Sequence, residues 1–97
     1  MLRIRGDRFR TNVSGDATFA AYYFLGDADT GTFQPSNNTF AITTAGTERM
    51  RIDSIGNVSI GTTSAEAKLH VAHNDGGVAA KFVHSGPGTG YAPGSIL

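Results

Sequence analysis

The chain has 97 residues, no cysteine and equal numbers of basic and acidic side chains. One small domain is the upper bound, and 21 residues of Leu, Ile, Val and Phe give little apolar area to offset a backbone ordering cost of about 1 to 2 kcal/mol per residue. Disulfide bracing and cysteine-ligated zinc are excluded, the balanced charge lacks the cationic surplus of a nucleic-acid binder, and no apolar run approaches the roughly 18 residues of a membrane-spanning helix.

In chain order, Arg3, Arg5, Arg8 and Arg10 are interleaved with Leu2, Ile4 and Phe9. This spacing reads as an exposed strand face, and no apolar stretch follows to make a secretory signal. Residues 18–25, the most aromatic stretch, are expected to be a strand. Residues 26–31 carry Gly and Asp turn chemistry, and residues 35–38 mark a second turn. Period-2 alternation then becomes clear. Phe40, Ile42 and Thr44 share one face, Ala45-Gly46 turns the chain, and Met50 and Ile52 point inward while Arg49, Arg51 and Asp53 face water. Gly56-Asn57 makes the next turn, Val58 and Ile60 share a side, and Leu69 and Val71 repeat the pattern. Thr63 and Glu66 match a capping box, but only about one helical turn fits before the next strand, so this segment is a corner. Residues 74–77 form a turn, residues 80–83 a weaker strand, and the chain from Gly86 onward reads as irregular. The segmentation is 1–25, strand-rich; 26–72, a β module; and 73–97, Gly-rich.

The succession from Gly26-Asp27-Ala28-Asp29-Thr30-Gly31 through Pro35, Phe40-Ala41-Ile42 and Gly46-Thr47-Glu48-Arg49-Met50-Arg51-Ile52-Asp53 to Gly56-Asn57-Val58-Ser59-Ile60-Gly61-Thr62-Thr63 and Ala67-Lys68-Leu69-His70-Val71 resembles modules of phage tail fibres and tail-spike-like proteins. About half the chain carries the likeness. In that family such blocks sit in the receptor-distal shaft, often ahead of a C-terminal intramolecular chaperone. Two positions depart from the pattern. Ile55 is bulky where the family has a small turn residue, which implies a neighbouring chain over it, and Ala65 stands where proline is frequent. No chaperone-like segment with a self-cleavage serine is recognisable after Val71, so the chain is expected to be either a fragment of a longer fibre or a short separate gene product.

The resemblance implies a fold that the composition independently favours. It is all-β, with short strands in an intertwined trimeric fibrous structure of the triple β-helix or β-prism type. Composition supplies only the need for partners; the family supplies the threefold. The expected role is structural, in a virion and extracellular when assembled: a shaft or distal module of a bacteriophage tail fibre that supports host attachment. Partners would be two further copies, other tail or fibre proteins and a host surface glycan, without nucleic acid or membrane insertion. The alternatives are a bacterial adhesin-type carbohydrate-binding module and a fragment of a tail-spike hydrolase.

No enzyme or cofactor is expected. There is no Gly-x-Ser-x-Gly, and Glu48 and Asp53, five apart along a strand, would point to opposite faces and so fail as a carboxylate pair. Asp27 and Asp29 offer oxygen ligands in a Gly-bounded loop, although an EF-hand count from Asp27 puts Asn38 where Glu belongs. His70 is a further metal candidate because threefold symmetry would gather one imidazole per chain; solvent-facing histidine is the plainer explanation. Tyr22, Tyr23, Phe33 and Tyr91 are the candidates for receptor contact by glycan stacking, with core or interchain packing as their ordinary role.

Overall fold

A computed structural model describes residues 10–85. Within them the chain is all-β and has no helix, and therefore none long and apolar enough to cross a membrane. Six strands, β1 (Tyr22–Phe24), β2 (Asp27–Phe33), β3 (Phe40–Thr44), β4 (Thr47–Ile52), β5 (Val58–Ile60) and β6 (Leu69–Val71), form one sheet in sequence order. Neighbours are antiparallel except β5 and β6, which run parallel. The Leu25/Gly26 boundary expected from the resemblance falls in the β1–β2 turn, with one sheet on both sides of it.

Local chemistry explains the turns. Thr44 opposes Thr47, leaving Ala45-Gly46 as a two-residue loop with φ of 51° and 74°. Two positive values define the primed turn whose twist matches a right-handed hairpin. After β4, the Asp53 carboxylate accepts the amides of Ile55 (3.1 Å) and Asn57 (2.9 Å), and its carbonyl accepts Gly56 N–H. Ile55 projects from this turn almost wholly into solvent.

Several expected elements differ. Residues 26–31 are not a loop: Asp27 opens the longest strand, and the turn is confined to Leu25-Gly26. Turn-forming residues are tolerated there because β2 bulges against β1. Tyr23 pairs with Gly31 and Phe24 with Asp27, and the Ala28 carbonyl takes Ala20 N–H instead of a β1 partner. Gly31 is required in that strand, since a Cβ would run into the Tyr22 carbonyl. Residues 18–21 lie outside β1; Asp16 accepts the amides of Thr18 and Phe19 and bends the chain there. The capping box does not form, because Ser64 N–H bonds Thr62 and Glu66 N–H bonds His70 Nδ1. Residues 80–83 are not a strand, and the alternation of Leu2, Ile4 and Phe9 lies outside the described residues.

Register sorts the side chains onto two faces. One carries the row Tyr22–Thr32–Ile42–Met50–Ile60–Val71 and beside it Phe40–Ile52–Val58–Leu69. The other carries Phe33–Ala41–Arg51–Ser59–His70 and Gly31–Thr43–Glu48. The grouping of Phe40, Ile42, Met50, Ile52, Val58, Ile60, Leu69 and Val71 follows the alternation read from sequence, but their burial does not. The buried positions lie mainly on the opposite face. Ala41, Thr43 and Ser59 are almost completely covered, the Thr43 hydroxyl donating to the Ala17 carbonyl at 2.7 Å as residues 16–19 cross over it. Phe40, Ile52, Ile60 and Leu69 are exposed, and Ala20, Phe33 and Ala41 are the buried apolar residues among those described.

The Ala45-Gly46 turn generates a test. An L-residue other than Asn, Asp or Gly pays on the order of 1 kcal/mol for a left-handed backbone. Ala45→Asn, which makes an Asn-Gly pair, should stabilise the chain by about 0.5 to 1 kcal/mol in urea unfolding; a loss of stability would contradict the turn geometry.

Candidate functional site

Two features stand out: the uncovered apolar face and a pocket at one end of the sheet. The face is open because its side chains are too large to be covered by the short segments flanking the sheet, whereas the small side chains opposite accept a close-lying chain. About 1.5 to 3 kcal/mol is at stake for each Ile, Leu, Phe or Met that passes from exposure to full burial.

The covered face is held by an ion pair. Arg51 Nε and a terminal guanidinium nitrogen donate to the two Glu48 oxygens, both at 2.7 Å. Residues three apart on a regular strand point to opposite faces. Here Thr43 pairs with Glu48 while Ile42 pairs with Met50, so Arg49 is an extra residue that returns Glu48 to the face of Arg51. Glu48 holds the Arg51 guanidinium above its ordinary pKa, partly opposed by burial and aided by Asp53. The expectation that Glu48 and Asp53 occupy opposite faces of one regular strand is corrected: the bulge puts Glu48 on the side of Arg51, and Asp53 lies past the end of β4 with its carboxylate on the Ile55 and Asn57 amides. The expectation that Arg51 faces water is corrected too, since it and Glu48 are largely covered.

The pocket, of about 650 Å³, lies where β2 ends and β3 begins. Tyr22, Phe33, Phe40 and Ile52 supply apolar walls; residues 11–14 and the turn holding Asn38 and Thr39 close the sides. The Ser14 carbonyl accepts Gln34 N–H at 2.8 Å, fixing the 11–14 segment against the end of β2. Asn38 has φ 62°, a left-handed conformation that Asn adopts more readily than most residues. Thr39 is buried and shares a hydrogen bond with Ser36.

The receptor candidates are divided among these places. Tyr22 and Phe33 line the pocket, Phe33 nearly buried. Tyr23 points away from Tyr22 and meets Phe19 edge-on, with ring centres 5.3 Å apart. Tyr91 lies outside the described residues. Phe40, Asn12, Gln34 and Asn38 are not among the receptor candidates read from sequence; only the β2–β3 register and the docking of residues 11–14 assemble them.

The metal candidates do not assemble within one chain. Asp27 and Asp29 are neighbours, but three strands separate β2 from His70 on β6, whose Nδ1 accepts Glu66 N–H. Among the described residues no group of three or more His, Asp or Glu is placed to hold a metal ion. Asp29 is pushed above the ordinary aspartate pKa, first by its hydrogen bond with Asp27, then by burial and by the Asp27 charge. Asp16 is lowered, chiefly by the Thr18 hydroxyl and the Thr18 and Phe19 amides.

Compared with known family models, curated proteins and solved structures, the chain matches none.

Two outcomes follow for the covered face and for β2. Glu48→Gln should destabilise the chain by roughly 1 to 3 kcal/mol in urea unfolding, the range for a hydrogen bond to a charged group; an unchanged midpoint would make the pair ornamental. Protonated Asp29 is favoured by the folded chain. That stabilisation is complete below the ordinary aspartate pKa and disappears as pH rises through the raised value. Asp29→Asn should gain stability over the native sequence across that interval in thermal melts at stepped pH, and a difference independent of pH would contradict the assigned pairing.

Proposed function

We propose that the chain is a non-enzymatic structural module of a bacteriophage tail fibre, a shaft or distal piece that associates with two identical copies and supports attachment of the virion to its host. The observation that carries this reading is the uncovered face. Phe40, Ile52, Ile60 and Leu69 are exposed beside half-covered Ile42, Met50, Val58 and Val71, while so few apolar side chains are buried elsewhere in the described residues. A contiguous apolar surface of this kind marks a site of association.

Three copies turning the Met50, Val58, Ile60, Leu69 and Val71 part of this face toward a common axis would build the missing core from three sheets and leave the Tyr22 and Phe40 end at the rim. Of the two fibrous arrangements, the β-prism-like one is better supported, because each chain keeps its six strands in one sheet. The exposed Ile55 and the edge strands β1 and β6 would then lie near neighbouring chains, which protects edges that otherwise invite uncontrolled pairing. The role is mechanical: a rigid trimer presents weak contacts together and gains avidity without a tight individual site. The pocket favours a second reading, a carbohydrate-binding module of a bacterial surface adhesin.

Solution mass by light scattering tests the assembly. A particle of three times the 10.1 kDa chain mass is expected. Ile60→Asp with Leu69→Asp, both on the open face, should dissociate it. Each removes about 1.5 to 3 kcal/mol of burial per chain before the cost of the charge, so a shift of more than a hundredfold in the dissociation midpoint is expected. A compact, cooperative monomer of the native sequence would sink the proposal.

A further inference from the structure

We infer that the pocket at the end of β2 and β3 is a binding subsite for an uncharged saccharide. The inference deepens the proposed attachment role by naming a ligand class, and it rests on that reading for its biological setting only.

The lining chemistry carries it. Among the described residues no carboxylate, ammonium, guanidinium or imidazole side chain lines the pocket. These residues offer a phosphate, carboxylate or ammonium ligand no countercharge, and a charge that loses part of its hydration without one is disfavoured. The pocket is not merely greasy either. Asn12, Gln34 and Asn38 bring carboxamides to its rim, and among the described residues none of the three has a side-chain hydrogen bond. A carboxamide both donates and accepts, which suits ligands whose every polar group is a hydroxyl or an acetamide. Tyr22 and Phe40, both partly exposed, line the same pocket. A pyranose has the complementary construction, a ring of C–H groups on one face and hydroxyls around the rim. A volume of about 650 Å³ accommodates one to two such rings.

The turn geometry keeps this rim in place. Thr39 N–H bonds the Ser36 carbonyl and the Ser36 and Thr39 hydroxyls bond each other, so the segment carrying Asn38 is braced without using its amide. Ser14 fixes Gln34 through the backbone, again leaving the side chain unspent. Ile60 and Leu69, on β5 and β6, do not line the pocket, so self-association through that half of the face and ligand binding at the β2–β3 end are separable.

The experiment uses the full chain on an array of neutral and anionic oligosaccharides, followed by titration with the best neutral binder and with a nucleoside of similar size. Neutral hexose or N-acetylhexosamine glycans should bind with dissociation constants on the order of millimolar per site. Asn38→Gly tolerates φ 62° while deleting the amide; combined with Gln34→Ala it should weaken binding at least tenfold, with solution mass and melting temperature unchanged. Phe40→Leu, which keeps apolar volume but loses the ring, should weaken it similarly. No binding at tens of millimolar, binding unaltered in these variants, or preference for anionic glycans or the nucleoside would overturn the inference. A trimer that binds no sugar would remove the subsite alone; a monomer that binds sugar would remove the fibre reading and leave the subsite standing.

Discussion

The β3–β4 register, with Arg49 as its one extra residue, is the constraint on which the sheet's two faces depend. Before the bulge, strict alternation places Phe40 opposite Ile52 and Ile42 opposite Met50. Beyond it, alternation alone would have sent Glu48 to the apolar face, with a carboxylate among Ile and Met side chains. The extra residue returns Glu48 to Arg51, and the two make a bidentate pair on the face of the small side chains. A bulge commonly re-aims a side chain in this way. Arg49, left over, reaches the Thr44 hydroxyl near the hairpin end at 2.8 Å.

That division of labour explains which face is covered. Ala41 and Ser59 flank Arg51 across the strands, and their small side chains leave space for a long guanidinium stem. Thr43 ties the crossing segment through Ala17. Polar anchors and small volumes therefore bury this face at short range, with only Phe33, Ala20 and Ala41 as apolar contributors among the described residues. Among the described residues no such strap crosses the large aliphatics on the reverse. The chain spends its short connections on the polar side and leaves the face with the greater hydrophobic payoff for something else to cover.

How much of this was legible in sequence depends on the range of the interaction. Phe40–Thr44 as a strand, the Ala45-Gly46 turn and the shared side of Val58 and Ile60 are local consequences of period-2 patterning and turn residues, and they were readable. Which face is buried was not. Alternation states which residues travel together and is silent on what lies against them; only the passage of residues 16–19 over Thr43 decides it. Asp27, Asp29 and Gly31 carry turn signals, and they misled because pairing with β3 and the bulge against β1 override local preference. The pocket was half legible. Tyr22 and Phe33 could be picked as aromatic, while Asn12, Gln34 and Asn38 carry no sequence signal that distinguishes them from other surface amides.

The open face and the pocket bear on each other through symmetry. In the proposed trimer, three chains turning their large aliphatics inward necessarily present three copies of the β2–β3 end in one plane. A shallow, uncharged subsite is a poor receptor grip by itself, because hydroxyl–amide hydrogen bonds replace bonds to water at little net gain. Repetition changes that: once one subsite is occupied, the others meet the same polysaccharide at an effective concentration that reaches millimolar for short flexible spans, comparable with the affinity argued for each. A lining without charged side chains among the described residues then has a physical use. Binding that does not rely on ion pairs is little affected by ionic strength, so an attachment device built this way would hold across media in which electrostatic contacts are screened.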